Sequence, residues 1–88
     1  KLLGPDHLEV ALALSNLAAM YLAQGDGAQA GDLFARALAI REAQLGPAHA
    51  DVAKNLEDYA SVLRKSGRAA EAERLEERAG AIRAKTKS

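Results

Sequence analysis

Apolar and polar positions divide the 88-residue chain into four blocks, each broken from the next by a glycine-bearing step. In the second block Leu33, Ala37 and Ile40 recur at spacings of four and three, which places them on one stripe of an α-helix. In the fourth, Ala72, Leu75, Ala79 and Ile82 do the same, with Glu71, Glu73, Arg74, Glu77 and Arg78 around them. The third block is amphipathic, carrying Lys54, Glu57, Asp58, Arg64 and Lys65. The first is different. Leu8, Val10, Leu12, Leu14, Leu17, Met20 and Leu22 fall on several faces, a distribution that expects burial on more than one side.

Stop and start signals set the expected helix limits. Asp6 is a good N-cap, with Glu9 three residues on in the capping-box spacing. From there a helix is expected to Gln24, where Gly25 supplies a left-handed stop and Asp26-Gly27 completes a tight turn. A second helix is expected over Ala28–Gln44, ended by Gly46 and barred from continuing by Pro47. The third runs from about Ala50 to Ser66, and after a turn at Gly67-Arg68 the fourth runs to about Lys85. Ala48 stands where Asp6 does, so the third helix should be less well held at its start, with Asp51 compensating through the helix dipole. The tail Ala84–Ser88 reads as frayed.

The four blocks are two copies of one unit. Leu3-Gly4-Pro5-Asp6-His7 returns as Leu45-Gly46-Pro47-Ala48-His49, 42 residues later. At the same offset Val10-Ala11 meets Val52-Ala53, Leu14 meets Leu56, Ala18 meets Ala60 and Gly25 meets Gly67. The register then carries through Ala28 with Ala70, Ala30 with Ala72, Leu33 with Leu75 and Arg36-Ala37 with Arg78-Ala79, to Ala39-Ile40-Arg41 with Ala81-Ile82-Arg83. Self-similarity at such a period marks a repeat architecture.

Composition narrows the picture. Alanine, the best helix former, dominates, and Tyr21, Phe34 and Tyr59 are the only aromatic residues. Twelve Lys and Arg balance twelve Asp and Glu, so no overall field attracts nucleic acid or an anionic membrane. There is no cysteine, which excludes disulfides and thiolate metal sites. No apolar run approaches the roughly 18 residues of a membrane span. The start, Lys1-Leu2-Leu3-Gly4-Pro5, does not read as a secretory signal. A soluble, cytoplasmic protein is the expectation.

The placing of small and large residues resembles the tetratricopeptide repeat. Leu14, Leu17, Ala18 and Tyr21 on the first helix and Ala30, Phe34 and Ala37 on the second match that family's spacing. In copy two the set is Leu56, Tyr59, Ala60, Leu63, Ala72, Glu76 and Ala79. The length of the unit, its Leu-Gly-Pro-x-His link and the stretch from Leu14 to Gly25 further resemble the repeats of kinesin light chains. The resemblance implies an all-α fold, an α-solenoid of two helix-turn-helix repeats with four antiparallel helices. It implies a single domain over 1–88, with repeats at about 3–44 and 45–85 and a tail at 86–88. Other α-solenoids of the HEAT or armadillo type and an up-and-down four-helix bundle remain open alternatives.

The two copies differ at their ends. The apolar first helix expects a covering element, either a preceding repeat or a second copy of the chain, and Leu8, Val10 and Met20 are its candidate contact residues. Residues 1–3 align with 43–45 and read as the tail of a preceding repeat. In the last helix Glu76 replaces Phe34, and a carboxylate there is harmless if no helix follows. That is the pattern of a capping repeat.

No catalytic constellation emerges. His7 and His49 hold equivalent places in the two links, and neither has a second ligand at helical spacing, so a role in the link is expected over a metal site. Ser15, Ser61 and Ser66 lack a His and acid pairing, and Gly25-Asp26-Gly27 is too short for a phosphate loop. No enzymatic activity, cofactor, metal, nucleic acid or membrane partner is expected. The Glu71–Arg78 stretch reads as a solvated face with an i,i+3 pair between Glu71 and Arg74.

What the resemblance implies instead is a protein-interaction scaffold, with the first helices of successive repeats lining a concave face for a peptide or partner domain. Carried over by position, that face holds Leu12, Ser15, Asn16, Ala19 and Leu22 in copy one. In copy two it holds Lys54, Glu57, Asp58, Ser61, Arg64 and Lys65. Asn16 matches a groove asparagine of the family, while Asp58 at the equivalent place departs from it. Lys54, Arg64 and Lys65 would attract an acidic segment. The competing expectation is a structural module that forms a homo-oligomer through its apolar first helix.

Overall fold

A computed structural model describes residues 7–86, with the side chain of Thr86 outside the description. It contains four helices: α1 Leu8–Ala23, α2 Gly27–Leu45, α3 Ala50–Lys65 and α4 Ala69–Thr86. Packing is successive. α1 lies on α2, α2 on α3 and α3 on α4, and the described residues form a slab with extents of 40 × 35 × 15 Å. A four-helix bundle would close by packing its first helix firmly on its last, and α1 on α4 is not among the main helix packings of the described residues. The chain is an all-α solenoid of two helix-turn-helix repeats.

Histidines, not aspartate, begin the first helix of each repeat. Asp6 lies outside the described residues, but α1 starts at Leu8 and its N-cap is His7, whose Nδ1 accepts the Glu9 N–H at 3.0 Å. His49 caps α3 identically, its Nδ1 accepting the Asp51 N–H at 3.0 Å. The expected capping box and the expected weak start of α3 are both corrected by this. An imidazole nitrogen in place of a carboxylate satisfies one of the orphan amides that open a helix, and it does so in both copies. Asp26 is the N-cap of α2, taking the Gln29 N–H at 3.1 Å, so α2 begins one residue earlier than expected.

The intra-repeat turns follow their glycines. At Gly25, φ is 86°, and the Asp26 N–H reaches back to Tyr21 O at 2.8 Å while Gly25 N–H reaches Leu22 O at 3.0 Å. At Gly67, φ is 78°, with Arg68 to Leu63 at 2.8 Å and Gly67 to Arg64 at 3.2 Å. This is the Schellman pattern, which needs a left-handed residue that only glycine adopts without strain. α4 continues as helix through Ala84, Lys85 and Thr86, against the expectation of fraying from Ala84; Lys87 and Ser88 lie outside the described residues.

Alanines set the helix crossings. Ala18 and Ala30 are fully buried where α1 meets α2, with Leu14, Tyr21, Leu33 and Phe34 around them. Ala60 and Ala72 repeat the crossing between α3 and α4, beside Leu63, Tyr59 and Leu75. Between the repeats, Leu38 of α2 joins Val52, Ala53 and Leu56 of α3, and the cluster continues to Ala79 and Ile82 of α4. Full burial of a side chain such as Leu56 is worth about 2 kcal/mol. Stacking in this way leaves α1 and α3 side by side across one face.

Candidate peptide-binding groove

Between α1 and α3 runs an open groove of about 520 Å³. One wall is Ser15, Asn16, Ala19, Leu22 and Ala23 of α1; the other is Lys54, Asp58, Ser61 and Lys65 of α3; Phe34 of α2 lies at the floor. An adjoining hollow of about 350 Å³ adds Leu12, Arg41, Asp51 and Asn55. Of the residues expected on a concave face, Ser15, Asn16, Ala19, Leu22, Lys54, Asp58, Ser61 and Lys65 meet in the groove. Leu12 lines the hollow beside it.

Glu57 and Arg64 do not join them. Both look away from the groove, toward α4. Arg83 donates to Glu57 through Nε at 2.7 Å and Nη2 at 2.8 Å, and Arg64 donates to Glu76 through Nε at 2.7 Å and Nη2 at 2.6 Å. The Arg83 hydrogen bonds hold the Glu57 carboxyl below the usual carboxylate range, and those of Arg64 do the same for Glu76. Glu76 is therefore engaged and not merely harmless, and Arg64 is not available to attract an acidic segment. The cause is the fork geometry of guanidinium and carboxylate, which sequence spacing across two helices does not reveal.

The charges of the groove itself are uneven. Lys54 Nζ lies 2.9 Å from both carboxylate oxygens of Asp58, an exposed i,i+4 pair that largely neutralises itself. Lys65 has no ion-pair or hydrogen-bond partner among the described residues, and neither has Asn16. Arg68 pairs with Glu71 at 2.6 Å, so the expected Glu71–Arg74 pair is not formed, and Arg78 reaches Glu42 at 2.6 Å.

Beneath the groove is a polar latch that periodicity alone did not reveal. Asn55 is only 2 % exposed, and its Nδ2 donates to Phe34 O at 3.0 Å. Its Oδ1 accepts from Arg41 Nη1, which also donates to Ser15 Oγ at 2.7 Å. One buried side chain thereby ties α2 to α3, and one guanidinium ties α2 to both groove walls. The available signal was an asparagine in copy two where copy one has Ala13, among apolar neighbours.

Of the residues expected at an outer contact face of α1, Met20 is 59 % exposed and Leu8 37 %, with Leu12 and Leu17 exposed beside them. Val10 is half-buried against Ala11, Ala37 and Ile40. Among the described residues no three His, Asp or Glu side chains gather as metal ligands, and no helix is long and apolar enough to cross a membrane.

Stacked helix pairs with a side-chain-lined groove define the class of α-solenoid repeat proteins. Within that class the sequence profile described as Tetratricopeptide repeat matches residues 9–85, and the chain belongs to that family. Repeats of this family generally mediate protein–protein interaction and are typically non-catalytic. None of the curated proteins compared with the chain matches it.

Proposed function

We propose that the chain is a protein-interaction scaffold that holds an extended peptide in the groove between α1 and α3. The observation that carries this is the groove's make-up. Its apolar lining comes from Ala19, Leu22 and Ala23 in one wall with Phe34 below, and its rim carries Asn16 and Lys65, which are without partners among the described residues. An apolar floor with a few convergent polar groups is what a ligand site requires. Asn16 can both donate to and accept from a peptide backbone. Lys65 favours a carboxylate near an apolar anchor, so the fitting segment alternates an apolar with an acidic residue.

The whole unit, residues 1–88, acts on this reading as one domain of two repeats, about 3–44 and 45–85. The 42-residue offset and the Gly-Pro-x-His link support the kinesin-light-chain type of repeat. The charged outer side of α4 supports a pair that closes an array.

The test is selection of short peptides from a random display library against the chain, followed by affinity measurement on a labelled selected peptide. Asn16→Ala with Lys65→Ala should weaken binding by about 10-fold or more, a loss of about 1.4 kcal/mol, while Arg64→Ala leaves it unchanged. Enrichment of no peptide, or of peptides indifferent to Asn16 and Lys65, would sink the proposal.

A further inference from the structure

Arg41 and Arg83 hold the same place in the two repeats and are both half-buried, yet they are partnered differently. Arg83 turns its Nε and Nη2 onto Glu57, at 2.7 and 2.8 Å, so one edge of the guanidinium holds both carboxylate oxygens. That edge matches a carboxylate in shape as well as in charge. In repeat one the position of Glu57 is Ser15. Arg41 meets its hydroxyl with Nη1, which also donates to Asn55. The Nε and Nη2 of Arg41 have no partner among the described residues, and Arg41 forms no ion pair with any of them. The edge that holds a carboxylate in repeat two is unused in repeat one.

Arg41 lines the hollow of about 350 Å³ that adjoins the groove. The other charged residues of that hollow are Lys54, Asp58 and Asp51. Lys54 and Asp58 take each other at 2.9 Å. Asp51 stands exposed in the first turn of α3, where the helix N-terminus favours a negative charge. Arg41 is left as a half-buried cation held by neutral groups, Ser15 and Asn55. Those two hydrogen bonds fix the guanidinium in advance, so a carboxylate that binds it has no arginine side chain to order.

We propose that Arg41 is the carboxylate-recognising residue of the groove: a carboxylate of the bound peptide enters the hollow and takes the Nε and Nη2 edge of Arg41, as Glu57 takes that of Arg83. The assignment rests on the groove reading above and adds a charge anchor at the Ser15 end, away from Lys65. Asn55, which holds Arg41, and Lys65 stand about ten residues apart on α3. That is roughly 15 Å of helix, which an extended chain spans in about four or five residues. The fitting peptide carries two carboxylates at that spacing, one on each side of its apolar anchor.

The test has two arms. In the first, the 15N-labelled chain is titrated with sodium acetate against sodium chloride at equal ionic strength, and the arginine Nε–H signals are followed by NMR. Arg41 should shift saturably, with half-saturation at about 50 mM, and the exposed Arg36 and Arg74 should respond about tenfold more weakly. Arg64 and Arg83, whose Nε already meets a carboxylate, should not move. Ser15→Glu should abolish the Arg41 response and raise the melting temperature, because the introduced carboxylate fills the edge as Glu57 does. In the second arm, a peptide enriched from the display library has each acidic side chain replaced by its amide in turn, and its C-terminus amidated. One of these changes should weaken binding about 10-fold to the parent chain and under about twofold to Arg41→Lys, which keeps the charge and loses the edge. The change that does so tells whether a side-chain or a terminal carboxylate is read. An Arg41 response to acetate no stronger than that of Arg36 would overturn the inference whatever the peptides do. Tight peptides whose carboxylates are all indifferent to Arg41→Lys would overturn it too, with the groove reading left standing. A saturable Arg41 response without any enriched peptide would sink the groove reading and leave the carboxylate seat on Arg41.

Discussion

Leu22 and Phe34 in repeat one correspond to Arg64 and Glu76 in repeat two, and the contrast shows how one backbone pattern serves two different surroundings. The first pair packs in the apolar cluster beneath the groove, with Phe34 5 % exposed, because α3 lies over it. The second pair has no helix over it among the described residues, and apolar side chains there would face water. An ion pair keeps the same geometry with solvated ends. Ser15 and Arg41 against Glu57 and Arg83 repeat the lesson: where α3 supplies Asn55, the arginine uses a hydroxyl and an amide, and where no further helix lies over it among the described residues it takes a carboxylate. Sequence differences between the copies track what lies on top of each position.

The largest break in this comparison comes from equivalent core leucines. Leu56→Ala, at a fully buried site shared by α2, α3 and α4, should cost about 3 kcal/mol in urea unfolding, whereas Leu14→Ala, half-buried in α1, should cost about half as much. Equal losses would mean that the exposed row of α1 is covered in solution. Asn55→Ala comes next. It leaves Phe34 O and Arg41 without their buried partner, an effect of about 2 kcal/mol by the same measurement. A loss under a few tenths would show that water replaces the amide and that the latch is not structural.

The smallest effect sharpens the comparison by pH. Glu57 and Glu76 ionise below the usual carboxylate value because Arg83 and Arg64 hold their charged forms. Their lowered folded values mean that the stability they contribute is complete above the unfolded carboxylate value, about 4.3, and is lost as pH falls through the folded values. Melting curves of Glu57→Gln with Glu76→Gln should lie slightly below the parent at pH 7 and merge with it near pH 2. A constant gap across that range would assign the difference to packing instead of charge.

Fold and site were legible to different depths. The glycines at 25, 46 and 67, the alanine crossings and the 42-residue register specify helix ends and neighbours through local backbone and packing rules, and these read directly from the residues. Most of the groove wall was legible too, because residues three and four apart on a helix share a face. Histidine caps were not, since Asp6 beside His7 was the stronger capping residue by preference, Ala48 beside His49 offered none, and only backbone geometry decides which residue meets the orphan amide. Nor was the division of charges: Lys54, Arg64 and Lys65 look alike in sequence, yet Arg64 turns to α4, Lys54 to Asp58, and Lys65 alone of the three has no ion-pair partner among the described residues.

By itself the sequence determined that this chain folds as two copies of one helical unit, because helix periodicity, glycine stops and small crossing residues act over a few turns. Only the tertiary structure decided which equivalent positions are covered and which bare. Burial depends on the helix that arrives from elsewhere in the chain, and that is why Met20 lies open where Val62 is sealed.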